Sequence, residues 1–133
     1  VNETMSQENV EVVRALFQGF DRTGVEGMIP FVREDVDYVP IEEGGRVHGH
    51  EEFRQYFARW LETWDEYAMR PTEVRASGGQ VLAGIAMEGR GRGSGVKVTM
   101  EFWQVYLFRG GLVARVDEYA DRAHALEAVG LSE

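Results

Sequence analysis

The chain predicts an α+β fold, and three features of its sequence lead there. Apolar residues in the first half recur at helical spacing, as in Val10, Val13, Phe17 and Phe20. From Pro71 onward the period drops to two, and glycine clusters punctuate the alternation. Asp121 to Gly130 then carries the start and stop signals of a closing helix.

Taken in order, Ser6 is placed to cap the first helix, because its hydroxyl can accept from a backbone N–H two or three residues on. Asp21-Arg-Thr-Gly24 ends that helix. A second, short helix is predicted over Val25 to Val32, with Pro30 near its end and able to shorten it. Asp35 to Pro40 reads as a strand with Val36 and Tyr38 on one face and Asp37 and Val39 on the other. Glu42-Glu-Gly-Gly is a loop. His50 begins a third helix whose apolar set is Phe53, Phe57, Trp60 and Trp64, widened by Tyr56 and Leu61. Four strands follow over Thr72 to Ala76, Val81 to Glu88, Val96 to Phe108 and Leu112 to Ala120. Their junctions at Ser77-Gly-Gly, Gly89 to Gly95 and Arg109-Gly-Gly suit antiparallel hairpins. Asp121 caps the last helix, Leu126 and Val129 pack it, and Gly130 supplies the left-handed stop.

Composition bounds the function. At 133 residues, 44% hydrophobic and 28% charged, residues 1–133 are expected to form a single domain with a real core. There is no cysteine, which removes disulfides and thiolate zinc sites. A net charge of −9 opposes nucleic-acid binding, where cationic side chains supply most of the affinity. No apolar run reaches membrane-spanning length and no basic-then-apolar leader is visible, so no membrane partner and a cytoplasmic location are expected. His48-Gly-His50 is a weak metal signal, two histidines in a loop without a further ligand. The glycine run from 89 to 95 lacks the ending of a nucleotide loop and no helix follows it. No metal or cofactor is expected.

The element order, the Gly49-His-Glu-Glu-Phe-Arg-Gln-Tyr-Phe57 helix opening and the Tyr119-Ala-Asp-Arg-Ala-His-Ala-Leu-Glu-Ala-Val-Gly-Leu131 ending resemble the SnoaL-like group of the nuclear transport factor 2-like superfamily. The resemblance covers about Gln7 to Leu131. It implies a curved antiparallel sheet wrapped around helices into a cone-shaped half-barrel, with an internal cavity and frequent dimerisation through the sheet. Such relatives include polyketide cyclases, a ketosteroid isomerase, epoxide hydrolases and dehydratases, so the fold alone assigns no activity. Counting back from Gly130, Glu118 matches the acid/base aspartate of the cyclases, and Gln104 falls where they tend to carry a histidine. Glutamine can position or polarise a carbonyl but cannot exchange protons near neutral pH.

The Arg109-Gly-Gly111 turn decides which side chains face the cavity. A two-residue turn would pair Trp103 with Glu118 and Val105 with Val116. A three-residue loop with Gly111 in a bulge would pair Phe102 with Glu118 and Gln104 with Val116, and is the favoured reading. Both keep Glu118 on the face of Val116.

The candidate chemistry follows. Glu118, beside Phe102, Val116 and Tyr106 in an apolar cavity, would have its pKa raised by desolvation and serve as a general base; the alternative is a solvated or arginine-paired carboxylate near the cone mouth. Tyr106 or Gln104 would stabilise the enolate, and Tyr38 is a second hydroxyl donor; as large aromatics the tyrosines could equally be core. Phe57, Trp60, Phe102 and Val116 join Tyr38 as cavity lining for an apolar or ring-containing small molecule. An inward Asp37 would form an acid/base couple with Glu118, whereas the alternation makes it a solvated strand residue. The expected function is small-molecule binding, in its enzymatic form a cofactor-free isomerase, cyclase or hydratase. The competing expectation is a noncatalytic dimerising module with a filled cavity. In the favoured register the outer face of the last hairpin, with Trp103, Val105, Leu107, Val113, Arg115, Asp117 and Tyr119, predicts a homodimer, Arg115 and Asp117 pairing across the two-fold axis; the alternative is that a strand or helix of the same chain covers this patch.

Overall fold

The structure, a computed structural model, describes residues 3–41 and 45–131. Most of the expected Glu42 to Gly45 loop therefore lies outside the described residues. The first helix, α1 (Glu3–Thr23), buries Val13, Leu16 and Phe17 along its apolar stripe. Ser6 lies inside this helix rather than at its cap, because the helical hydrogen-bonding starts before it. A short α2 (Val25–Met28) follows and crosses α1 where two glycines meet. A Cβ on Gly19 would sit 2.0 Å from the Gly27 carbonyl oxygen, so the backbones touch directly. The predicted second helix stops early: Ile29–Phe31 form one 3-10 turn holding Pro30, and strand β1 (Val32–Val39) begins at once.

A two-residue strand β2 (Val47–His48) pairs with β1 and leads into α3 (Gly49–Glu62), with Phe53 and Phe57 buried. Trp64, expected to end the α3 stripe, instead opens strand β3 (Trp64–Ser77). Pro71, expected at a boundary, lies inside β3. That strand is at the sheet edge, where a missing N–H is tolerated, and a register shift between Pro71 and Glu73 accommodates the ring. Strands β4 (Gln80–Gly91), β5 (Lys97–Arg109) and β6 (Leu112–Tyr119) then meander back across the sheet. The last helix, α4 (Arg122–Ala128), is capped by Asp121, whose carboxylate accepts from the His124 N–H at 2.9 Å.

The six strands form an open sheet in the order β2-β1-β6-β5-β4-β3. One pairing differs from the expected all-antiparallel sheet. β1 runs parallel to β6, because α3 carries the chain to the far edge and three hairpins bring it back in the direction of β1. The inner face wraps α1 and α3 and holds the main core, including Val36, Val81, Ala83, Ile85, Met87 and Val113. This is the α+β half-barrel.

The β5–β6 hairpin follows neither expected register. Gly110 (φ 61°) and Gly111 (φ 79°) make the tight two-residue turn that closes Arg109 on Leu112. A bulge at Ala114 then shifts the register by one, so that Gln104 faces Glu118 and Tyr106 faces Val116. The bulge also turns Val113 into the core, whereas the sequence reading put it outside. Phe102, Gln104, Tyr106, Val116 and Glu118 nevertheless share the inner face.

The outer face is covered from within the chain. Leu126, Ala125 and Val129 of the α4 region bury Val105 and Leu82, with Trp103, Leu107 and Tyr119 packed at the edge. Val105 is 2% exposed. Arg115 and Asp117 pair with each other in a two-pronged bridge, both N–O distances 2.9 Å. The argument that this apolar hairpin face needs a second copy to cover it therefore falls.

Candidate functional site

A cavity of about 250 Å3 opens between α3 and the inner face of β3, β5 and β6. Its volume is that of roughly eight water molecules at about 30 Å3 each. Six sequence-expected residues line it: Tyr38, Phe57, Trp60, Phe102, Gln104 and Glu118. Each is delivered by an element already described. α3 presents Phe57 and Trp60 from its apolar stripe, β1 supplies Tyr38, and alternate residues of β5 and β6 supply the rest. Ile41 and Met100, both substantially exposed, stand at the rim.

Two expected site residues lie elsewhere. Tyr106 and Val116 line a separate void of about 20 Å3 at the closed end of the cone, among Leu16, Phe17, Met28 and Phe53. They are core, since α1 and α2 fill that end. The sequence reading missed Tyr56, Tyr67 and Met69 as cavity lining. Tyr67 and Met69 alternate onto the inner face of β3, a signal hidden by starting that strand after Pro71.

The polar groups at the inner end of the cavity form a chain. Tyr38 Oη donates to Glu118 Oε2, and Gln104 Nε2 donates to the same oxygen at 2.9 Å. Gln104 Nε2 also lies 3.4 Å from Tyr38 Oη. On its other side, Tyr106 Oη donates to Gln104 Oε1. Because that amide oxygen is taken by Tyr106, the amide nitrogen is turned toward the carboxylate. Tyr106 thus acts on the site through Gln104 and is not the enolate donor expected of it.

Burial, followed by the negative charge of Glu118, pushes the Tyr38 and Tyr106 phenols well above the ordinary tyrosine range. Both stay protonated donors throughout the ordinary pH range. Tyr67 is also raised by burial, opposed by a hydrogen bond from Trp60. Its hydroxyl points to the Met69 thioether 3.7 Å away, a weak acceptor that a ligand oxygen could replace.

The other candidates have structural partners. Asp37 faces out, with its carboxylate 2.9 Å from His48 Nδ1, so no Asp37–Glu118 couple forms. The His48 hydrogen bond is the main cause holding Asp37 below the usual carboxylate range, and in return Asp37 raises His48. His50 Nε2 lies 2.8 Å from the Val32 carbonyl oxygen. The run from 89 to 95 closes the β4–β5 hairpin, with Gly93 and Gly95 at positive φ. No helix of the described residues is long and apolar enough to cross a membrane.

No curated protein matches the chain by sequence. Solved structures match its fold closely. TerC, co-crystallised with polyporic acid, is 23% identical with a TM-score of 0.76, the match covering 92% of this chain and 97% of TerC. A Jannaschia sp. CCS1 protein named as a candidate SnoaL-like polyketide cyclase is 17% identical with a TM-score of 0.79, over 100% of this chain and 99% of that one. A Catenulispora acidiphila protein with a ketosteroid isomerase-like fold, in complex with trimethylamine, is 19% identical with a TM-score of 0.74, over 92% and 94%. At these identities the likeness shows the fold. The SnoaL-like domain family matches the sequence itself over residues 13–116. With that match spanning most of the chain and the same cone around its cavity, the protein belongs to the SnoaL-like family.

Proposed function

We propose that the chain binds a small, ring-containing organic molecule in the aromatic cavity and moves a proton on it with Glu118 as general base, in an isomerase, cyclase or hydratase type of reaction. The observation that carries this is the Glu118 carboxylate set in the wall of a cavity otherwise lined mainly by rings and thioethers. Two neutral donors on one of its oxygens, Tyr38 and Gln104, fix its direction without neutralising it by an ion pair of their own. Tyr67 supplies a hydroxyl to a developing oxyanion, and Trp60 and Phe57 offer ring faces. Relatives of this fold crystallised with polyporic acid and with trimethylamine support small-molecule binding. An open cavity favours this reading over a side-chain-filled interaction module.

The test is Glu118→Gln, which keeps shape and hydrogen bonding but removes the base. Screened against cyclic ketones and enones, the wild type is expected to turn over a substrate that the variant does not, by about 10²–10⁴-fold in rate. The melting temperature should hardly change. Full turnover in the variant eliminates Glu118 as the base.

A homodimer through the sheet remains part of the proposal, resting on the frequent dimerisation that the family resemblance implies and no longer on an uncovered hairpin face. Light scattering at low micromolar concentration should give twice 15.1 kDa; a clean monomer would sink this part alone.

A further inference from the structure

We infer that the ligand of this cavity carries a positively charged nitrogen: the site is built to take an ammonium group and to turn carboxylates away. The inference rests on the reading that the cavity holds a small molecule, and adds the charge of that molecule.

Among the described residues the lining holds one carboxylate, Glu118, and no lysine, arginine or histidine. An anionic ligand would meet a like charge in a site where water screens poorly. A cation meets the opposite arrangement. The remaining wall is largely aromatic, and the face of each ring carries the negative side of its quadrupole. Trp60, the strongest ring type for this contact, stands at 90° to Tyr67, and Tyr56 at 86° to Phe57. Rings at such angles wall the space from different directions rather than as one flat slab, which suits a compact, roughly spherical head group. The thioethers of Met69 and Met100 add polarizable surface without charge. The net charge of −9 on the chain favours approach of a cation over an anion.

Position matters as much as composition. The carboxylate is tied at one oxygen by Tyr38 and Gln104, so it cannot swing away from the cavity wall. A cation in this cavity would have Glu118 for an ion pair and the aromatic lining for ring contact together. Neither neutral nor anionic molecules can make both.

The experiment compares three near-isosteric probes by calorimetry at neutral pH: benzylammonium, benzyl alcohol and benzoate. Benzylammonium should bind at least about tenfold more tightly than benzyl alcohol, with benzoate the weakest. Trp60→Leu and Glu118→Gln, each checked for an intact melting transition, should cut the preference for the cation over the alcohol to about threefold or less. Raising the pH through the amine's own titration should bring its affinity toward that of the alcohol. Benzyl alcohol binding as tightly as benzylammonium overturns the charge inference and leaves small-molecule binding standing. A cation preference unchanged in both variants also overturns it, by placing the cation elsewhere. No binding of any probe up to about 10 mM overturns both readings.

Discussion

Removing the Tyr106 hydroxyl tests the whole polar chain behind the cavity. Tyr106 is 2% exposed and Gln104 6%, so Tyr106→Phe leaves the Gln104 amide oxygen buried with neither its donor nor water to replace it. An orphaned buried acceptor costs about 1–3 kcal/mol. At roughly 2.1 cal/mol/K of unfolding entropy per residue, a chain of 133 residues has about 0.28 kcal/mol/K at its midpoint, so the melting temperature should fall by about 4–11 °C. The amide gains freedom to turn, weakening its 2.9 Å bond to Glu118. Urea unfolding of the wild type, Tyr106→Phe, Gln104→Leu and the double variant closes a thermodynamic cycle. The coupling should be about 1–2 kcal/mol, because removing both partners costs less than the sum of removing each. Strict additivity, or a Tyr106→Phe protein within about 0.5 kcal/mol of the parent, would refute the claim that Tyr106 orients Gln104.

Two further outcomes follow from the same packing. Tyr38 and Tyr106 have folded pKa values raised above the unfolded value of about 10, so their contribution to stability is complete below pH ~10 and is lost as pH rises through the folded values. The urea midpoint should therefore fall steeply in that alkaline range, with these two of the five tyrosines ionising only on unfolding; ionisation of all five with the fold intact counts against it. Gly19→Ala would force a Cβ to 2.0 Å from the Gly27 carbonyl oxygen, prying α2 off α1 at a cost of at least about 1–3 kcal/mol. An unchanged midpoint in thermal unfolding would contradict the close crossing.

Some of the site was legible before any folding. Strict alternation put Glu118 on the face of Val116 whatever the turn, because both registers considered keep that parity. The 3.6-residue stripe put Phe57 and Trp60 on the buried side of α3, and the Asp121 cap and Gly130 stop delimited the last helix within a residue or two. These are local signals, carried by a few neighbouring residues. Tertiary structure decided the rest. Gly110-Gly111 chose the tight turn, but whether Glu118 would face Gln104 depended on one extra residue, Ala114, in β6. That bulge lets Val113 and Val116 both reach the core, and no local pattern records it, because its benefit comes from helices far away in sequence. β3 likewise begins at Trp64 because a sheet edge tolerates Pro71, which brings Tyr67 and Met69 into the wall. The hairpin face that looked bare is dry because α4 folds back over Val105 and Leu82. Local periodicity determines which way a side chain points along its own element; what it then meets depends on register and on elements that arrive from elsewhere in the chain.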